Sequence, residues 1–276
     1  MNQEPMTIDI RATVKQRLPR HYRFIPGFAI RWVERLVHQR ELNEILHRMH
    51  GKDAVSAAQE ALDYLSITTE VVAPHGLPAD GRFIFVSNHP LGGLDGLSLI
   101  SVLGKHYGGA IRFLVNDLLM AVKPLQPVFL PVNKYGRQSR ERAAEIEAQY
   151  QGDNQMITFP AGLCSRMGND GEVHDLQWQK FVVTQAVRTQ RHIVPIFFEG
   201  ENSRLFYRMA RLRKRLGMKF NLEMLLLPGE MFKSKGSRFR IVVGKPIAWQ
   251  QLDAQHPLDE AQRLASTCYA LKPTDK

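Results

Sequence analysis

The chain has 276 residues, 44% of them hydrophobic, which is enough to bury a substantial core in one large or two small domains. Lys and Arg number 37 against 27 Asp and Glu, and the resulting net charge of +10 indicates an anionic partner: nucleic acid, acidic lipid headgroups or an acidic carrier protein. The two cysteines, Cys164 and Cys268, argue against a secreted disulfide framework and against a structural zinc site, and favour a reducing cytosolic setting.

The first twenty residues, MNQEPMTIDIRATVKQRLPR, contain no apolar segment of the kind found in signal peptides, and we expect them to be loosely ordered. No stretch of the sequence approaches the roughly 20 apolar residues that span a bilayer. We therefore expect contact with a membrane only at its surface.

Two helical patterns come next. Between residues 28 and 49, apolar side chains recur at roughly helical spacing, with arginines interleaved. The apolar set is Phe28, Trp32, Leu36, Leu42, Ile45 and Met49, and the arginines are Arg31, Arg35, Arg40 and Arg48. A second helix, DAVSAAQEALDYL, begins at Asp53, whose side chain is a suitable N-cap.

From residue 66 onward the pattern changes to short β-rich runs, most of them separated by helical stretches. The runs are ITTEVV, RFIFVS, IRFLV, PVFLPV, QMITFP, HIVPIFF and RFRIVVG. Alternating strands and helices predict an α/β fold with a largely parallel central sheet flanked by helices. We divide the chain into an N-terminal helical segment, 1–65, with a packing or membrane-surface role, and an α/β domain, 66–276.

The segment SNHPLGGLDG, residues 87–96, follows one of these strands, and loops at the carboxyl ends of parallel strands commonly form active sites. Histidine has an unperturbed pKa of about 6.5 and serves as a base at neutral pH, and a nearby carboxylate can orient it. Gly92 and Gly93 permit the loop to fold His89 back towards Asp95. The alternative is that Asp95 merely caps a helix beginning near Gly96, with His89 an ordinary loop residue.

The Gly-x-Ser-x-Gly elbow, the Walker A loop, the dinucleotide glycine motif and the His-Glu-x-x-His zinc helix are all absent from the sequence. Four blocks instead occur in order: SNHPLGGLDG (87–96), QPVFLPVNKYGRQSR (126–140), MITFPAGLCSR (156–166) and HIVPIFFEG (192–200). Together they resemble the PlsC-like lysophospholipid and glycerol-phosphate acyltransferases. The resemblance covers roughly residues 80 to 250.

Two features depart from that family pattern. Five residues separate His89 from Asp95, where the family usually has four. In the third block the family's Glu is Ala161, its Thr-Arg pair is Leu163-Cys164, and Arg166 is displaced. The variant blocks look like the hemolysin-type subgroup, which includes the O-acyltransferases that complete ornithine and glycine lipids.

The resemblance implies acyl transfer from a thioester, carried by acyl-carrier protein or CoA, to the hydroxyl of a lyso-lipid, with neither metal nor cofactor. His89 would be the general base and Asp95 its support, without a covalent acyl-enzyme. The predicted substrate-binding residues are Lys134, Arg137, Ala161, Gly162 and Arg166. A Cys164 nucleophile paired with His89 is the competing mechanism.

The preferred acceptor is a 3-hydroxyacyl amino acid of the ornithine or glycine type, and the alternative is lysophosphatidate. The amino-acid acceptor needs an apolar wall near its hydroxyl, which Ala161 and Leu163 would form, and a cationic contact farther away. A hydrolase and a non-catalytic protein that binds anionic surfaces are further possibilities.

Between residues 203 and 219, SRLFYRMARLRKRLGMK contains seven basic residues and no acidic one. Leu205, Met209, Leu212 and Leu216 fall on one helical face. This pattern is typical of a surface helix with a solvated basic face, or of a helix that docks on a membrane or an acyl-carrier protein. Nucleic acid is disfavoured because no binding motif for it appears. We predict a peripheral protein on the cytoplasmic face of the inner membrane.

Overall fold

The computed structural model describes residues 6–132, 140–168, 170–218 and 221–273. The helices in these ranges are α1 Ile10–Arg17, α2 Gly27–Leu36, α3 Gln39–Met49, α4 Ala54–Tyr64, α5 Leu94–His106, α6 Arg140–Gln151, α7 Phe181–Thr189, α8 Arg204–Arg215, α9 Leu227–Lys233 and α10 Pro257–Tyr269. The strands are β1 Thr68–Val72, β2 Phe83–Ser87, β3 Ile111–Asn116, β4 Phe129–Val132, β5 Gln155–Thr158, β6 Arg166–Met167, β7 Val173–His174, β8 His192–Phe198 and β9 Arg238–Val243.

Seven of these strands form one sheet in the order β1-β9-β8-β2-β5-β3-β4. The five strands from β8 to β4 are parallel neighbours, whereas β9 runs antiparallel to β8 and parallel to β1. The central strand β2 is buried along its whole length, as is typical of a strand covered on both faces. The predicted α/β fold with a largely parallel sheet is confirmed.

Alternate residues of the strands enter two separate cores because side chains in a strand point to opposite faces. Phe85 of β2 packs in a core with side chains of α3, α4 and α5. Ile84 and Val86 pack on the other face with side chains of α6, α7 and α10. The molecule therefore has three layers, with the sheet between two layers of helices.

The N-terminal region differs from expectation in two places. Residues 10–17 form α1, whose N-cap Asp9 accepts a hydrogen bond from the Ala12 amide, so the expectation of loose order is wrong there. The pattern at 28–49 is not one continuous run but two helices, because His38 adopts a left-handed φ of 52° between them. The helices α3 and α4 share a core with the sheet, and the predicted division at residue 65 stays a prediction.

The fully buried side chain of Arg191 forms hydrogen bonds with backbone carbonyls at the amino ends of the central strands. Its guanidinium donates to the backbone carbonyls of Tyr150, Phe83, Asn154 and Gly152. Burial lowers the pKa of Arg191 to about 10, and the four carbonyl acceptors compensate for its lost hydration. The opposite, carboxyl edge of the sheet is left to loops.

Three of the four sequence blocks meet at that carboxyl edge. The strands β5, β2 and β8 are parallel neighbours, so the loops that follow them lie side by side. In the part of the chain that the structure describes, no helix is both long enough and apolar enough to cross a bilayer.

Candidate active site

The loop after β2 is fixed at its start by a buried asparagine. The Asn88 side-chain amide donates to the Phe198 carbonyl at 2.9 Å and accepts from the Phe198 amide at 2.7 Å. These two bonds continue the pairing of β2 with β8 beyond the strands. The next residue, His89, therefore leaves the sheet from a defined position.

A tight turn then brings His89 against Asp95. Gly92 has a φ of +78°, and Asp95 lies in the first turn of α5. The His89 Nδ1 atom is 2.9 Å from the Asp95 Oδ2 atom. The expectation that the longer loop keeps the two side chains in contact is confirmed.

Asp95 is completely buried and holds the loop as well as the histidine ring. Oδ2 also accepts from the amides of Leu91 at 2.9 Å and Gly92 at 3.2 Å, and Oδ1 accepts from the Gly96 amide at 2.9 Å. The alternatives considered from sequence are thus not exclusive, since Asp95 supports the helix start and pairs with His89.

The electrostatics of Asp95 follow from these contacts. Burial alone raises the pKa of the Asp95 carboxyl, but the charge and hydrogen bond of His89 and the backbone amides outweigh it, so the pKa is lowered. The carboxylate contributes stability above its unfolded pKa of about 3.9, and this contribution is lost as the pH falls through the lower folded value. At neutral pH it stays ionised beside His89.

One face of the His89 ring is covered by a residue of the third block. Phe159 stacks on the imidazole, with the ring centroids 3.9 Å apart and the planes 16° from parallel. The Ser165 amide donates to the His89 carbonyl at 2.8 Å. The His89 side chain keeps 16% of its surface exposed, so one part of the ring is accessible from outside.

The predicted substrate-binding residues of the third block lie in the loop after β5. Ala161 is buried, whereas Gly162 is exposed with a φ of +66° and has open space where a Cβ would lie. Ala161 packs in the apolar core near the α6 and α7 side chains. At the position of the family's acid the structure thus has an apolar residue that is buried in this core.

Cys164 packs against the turn of the His89 loop rather than lining an open site. Its side chain is 1% exposed, and a Cβ added to Gly92 would lie 2.4 Å from its Sγ atom. Burial first, and the nearby Asp95 charge second, raise the pKa of the Cys164 thiol. A buried thiol with a raised pKa is a poor nucleophile.

Arg166 is held by protein groups. It donates to the carbonyl of Cys164 at 2.7 Å and pairs with the fully buried Glu223 at 2.9 Å. Arg213 of α8 approaches the other oxygen of Glu223 at 3.0 Å. Two arginines thus share one carboxylate, which leaves a net positive charge at the junction of the third block and α8.

Lys134 and Arg137, the other predicted cationic contacts, lie outside the described residues. The strand that precedes them, β4, stands three places from β2 in the sheet. At a spacing of about 4.8 Å between strands, this separation is roughly 14 Å. The structure brings His89, Asp95 and the third block together, and the predicted catalytic and substrate-binding roles of all the site residues stay predictions.

Comparison with known proteins identifies the family. The model of the family described as "Acyltransferase" matches residues 12–274. This chain belongs to the acyltransferase family. The family predicted from the four sequence blocks is thereby confirmed, and the protein is an acyltransferase enzyme.

Two curated relatives have the same printed name, lyso-glycine lipid O-acyltransferase. The protein from Phocaeicola vulgatus is 43% identical over 265 residues, which cover 96% of this chain and 95% of the relative. The protein from Bacteroides thetaiotaomicron is 41% identical over 265 residues, covering 96% and 97%. The crystal structure of the 1-acyl-sn-glycerophosphate acyltransferase PlsC from Thermotoga maritima aligns with a TM-score of 0.47 and 16% identity, covering 96% of this chain and 99% of that one.

The sequence analysis missed several residues that surround the candidate active site. Phe159 lies inside the third block, but nothing in the block reveals that its ring stacks on His89. Asp175 contacts His89 from 86 positions away and belongs to no motif. Glu223 lies in the apolar stretch NLEMLLLP. A carboxylate in such a stretch could have indicated a buried ion pair, since an acidic residue is rarely buried without a charged partner.

The turn at Gly92 supplies the first testable prediction. We expect Gly92→Ala to destabilise the acyltransferase by about 2–4 kcal/mol, because a left-handed φ costs ~1–2 kcal/mol and the new methyl group overlaps Cys164 and Leu227. Urea unfolding followed by circular dichroism measures the loss.

Gly96→Ala is the matched control, four residues further along the same segment. A Cβ there meets only ordinary contacts, 3.5 Å or more from Phe113 and Phe159, and alanine favours the helical backbone of α5. Its stability should equal or exceed that of the unmodified protein. Equal stability of the two variants would contradict the proposed packing of the turn.

Proposed function

We propose that this acyltransferase moves a fatty acyl group from an acyl thioester, carried by acyl-carrier protein or CoA, to the hydroxyl of a lyso-glycine lipid. The observation that carries the chemistry is the His89–Asp95 pair, 2.9 Å apart at the carboxyl edge of the sheet. The printed names of two relatives that are 43% and 41% identical over nearly their whole length support the acceptor.

In this mechanism Asp95 fixes the tautomer of His89. The ionised carboxylate accepts a hydrogen bond from the protonated Nδ1 atom of His89. The unprotonated Nε2 atom is therefore the one that takes the proton from the acceptor's hydroxyl. As Nε2 takes the proton, the hydroxyl oxygen attacks the thioester carbonyl and forms a tetrahedral intermediate. When its C–S bond breaks, the leaving sulfur takes the proton from the His89 imidazolium, which gives the ester, the free thiol and neutral His89. The buried Asp95 charge stabilises this imidazolium, and Phe159 keeps the ring plane from turning.

The acyl group passes directly between the two bound substrates. A covalent intermediate on Cys164 requires a thiolate within reach of the thioester, and burial of that side chain disfavours both the charge and the access. Direct transfer needs only that the two substrates be held in line, which contributes much of the rate by itself.

The third block supports an acceptor other than a glycerol phosphate. A site that hydrogen-bonds a phosphate headgroup carries polar groups that would stay unpaired without it. Here Ala161 is buried and apolar, and the Arg166 guanidinium is already paired with Glu223. A glycine-type acceptor has its single carboxylate several bonds from the reacting hydroxyl, so this loop need not bind an anion at the reaction centre.

We also propose that the enzyme works on the surface of an anionic membrane, where its acceptor resides. On α8, Leu205, Leu212 and Leu216 are exposed at 52%, 51% and 65%, next to a stripe of exposed basic residues. The basic residues are Arg204, Arg208, Arg211, Lys214 and Arg215. A helix that exposes an apolar stripe beside a cationic one is typical of the membrane interface.

The α2 helix and the short segment between α8 and α9 also expose apolar side chains. Phe28 and Trp32 on α2 are exposed at 68% and 63%, and Met224 and Leu225 at 37% and 39%. The α9 helix connects them, because it packs on the 222–226 segment and places Gly229 beside His38, just after α2. Leu227 of α9 in turn faces the turn of the His89 loop, which supports a lipid-facing rim next to the site.

The base assignment is tested by substitution of the pair. We expect His89→Ala to reduce kcat by on the order of 10² to 10⁴, the usual contribution of a general base, while the protein stays folded. Asp95→Asn should also reduce kcat. It should in addition lower stability, because the side-chain NH₂ group would then replace an oxygen that now accepts a hydrogen bond from a backbone N–H group. Near-normal turnover of purified His89→Ala would refute the assignment.

The acceptor is tested by competition in one assay. Purified enzyme receives a single labelled acyl thioester and detergent micelles that contain equal amounts of N-(3-hydroxyacyl)glycine, N-(3-hydroxyacyl)ornithine and lysophosphatidate. We expect the glycine lipid to become labelled first, and no product with His89→Ala. Preferential labelling of lysophosphatidate would contradict the acceptor and leave the acyltransferase class intact.

The membrane surface is tested with a charge placed in the α8 stripe. Leu212→Asp with Leu216→Asp should weaken binding to vesicles containing anionic phosphatidylglycerol by about tenfold or more, measured by flotation, because both apolar burial and charge attraction are lost. Leu258→Asp on α10, exposed at 40%, is the matched control and should bind normally. Equal binding of both variants would place the contact elsewhere.

A further inference from the structure

A second carboxylate, Asp175, holds the backbone of His89. The His89 amide donates to the Asp175 Oδ1 atom at 3.1 Å, and the Ser165 hydroxyl donates to the same oxygen at 2.6 Å. The Ser165 amide in turn donates to the His89 carbonyl at 2.8 Å. The peptide groups on both sides of the His89 side chain are thus tied to one short segment.

Asp175 is itself anchored to the core of the other helical layer. Its Oδ2 atom accepts from the indole nitrogen of the fully buried Trp178 at 2.9 Å. Its amide donates to the Tyr269 hydroxyl of α10 at 2.7 Å. A displacement of Asp175 would therefore require movement of two large aromatic side chains.

We infer that Asp175 is a positioning residue for acyl transfer: through Ser165 and the His89 amide it sets where the histidine backbone stands, while Asp95 sets where its ring points. Asp175 touches neither substrate nor reacting atom in this mechanism. The inference rests on the proposed role of His89 as the base.

The contact pattern separates Asp175 from an ordinary structural aspartate. A loop aspartate usually caps the backbone of its own turn, whereas this one accepts from a residue 86 positions away in the chain. Incomplete hydration raises the pKa of Asp175, although the bonds from Ser165, Trp178 and His89 oppose the shift. The Asp175 carboxyl is thus buried at a desolvation cost in the position where it binds the His89 amide.

The test is a graded pair of substitutions at this position. Asp175→Ala removes both acceptor oxygens, and we expect kcat to fall by about 10²-fold, because a misplacement of His89 on the order of 1 Å has that effect. The KM values for donor and acceptor should change by no more than about threefold. Asp175→Asn retains one acceptor oxygen for the His89 amide and should recover a large part of kcat.

Ser165→Ala tests the same connection without changing Asp175 itself. It deletes one donor to the Oδ1 atom but leaves the Ser165 amide bond to His89, so we expect a smaller decrease in kcat, about three- to tenfold. Glu260→Gln on α10 removes a buried carboxylate that pairs with its own helix neighbour Arg263, and its kcat should be unchanged. All rates are normalised to the folded fraction measured by circular dichroism.

The outcomes are separable. A kcat for folded Asp175→Ala within twofold of the unmodified enzyme, or a loss explained by a rise in KM, would overturn the positioning role. If His89→Ala is itself fully active, the proposed mechanism fails first. If His89→Ala is inactive and Asp175→Ala is normal, only the present inference fails.

Discussion

The contact between His89 and Asp95 imposes a geometric condition that much of the surrounding structure satisfies. Only five residues separate the two side chains, and within them the chain must reverse and enter a helix, just after it has left a buried strand. The turn works because Gly92 adopts a positive φ, and it stays closed because Cys164 and Leu227 fill the space that a side chain there would need. The third block and α9 therefore support the His89 loop, although they are far from it in sequence.

Three carboxylates around this loop are stabilised in different ways. Asp95 accepts from His89 and from backbone amides, and Asp175 accepts from a hydroxyl, an indole and an amide. Glu223 accepts a hydrogen bond from Arg166 and forms an ion pair with Arg213. Under the proposed mechanism, donors fixed in advance would need no reorganisation when charge develops on His89. The same arrangement explains why Arg166 is paired inside the protein, since a buried Glu223 without a cation would be costly.

The sheet could be predicted from sequence because its strands are short runs of β-branched and aromatic residues separated by helical patterns. All seven of those runs became strands of one sheet, and the His89–Asp95 contact was anticipated from the glycine pair between them. The break at His38 could not be predicted, because a left-handed histidine carries no glycine signal. Phe159 and Asp175 could not be placed either, since their contacts with His89 depend on how loops from distant segments meet in three dimensions.

The α8 helix is another element whose buried face could not be predicted from the sequence, and here the difference bears on the proposed function. Its sequence has apolar residues on more than one face, and periodicity alone does not reveal which of them is buried. In the fold, Phe206, Tyr207 and Ala210 pack inward, and the stripe from Leu205 to Leu216 is left at the surface. A helix that already has a buried apolar face does not need a second one for folding, so the exposed stripe requires another explanation. Arg213 joins this helix through Glu223 to Arg166 of the third block, and Ser165 of that block binds the His89 carbonyl. The surface stripe and the His89 loop are therefore parts of one connected structure. Under the proposed function such a connection serves an acceptor held in a membrane, whose hydroxyl must reach His89 while its acyl chain remains among lipids.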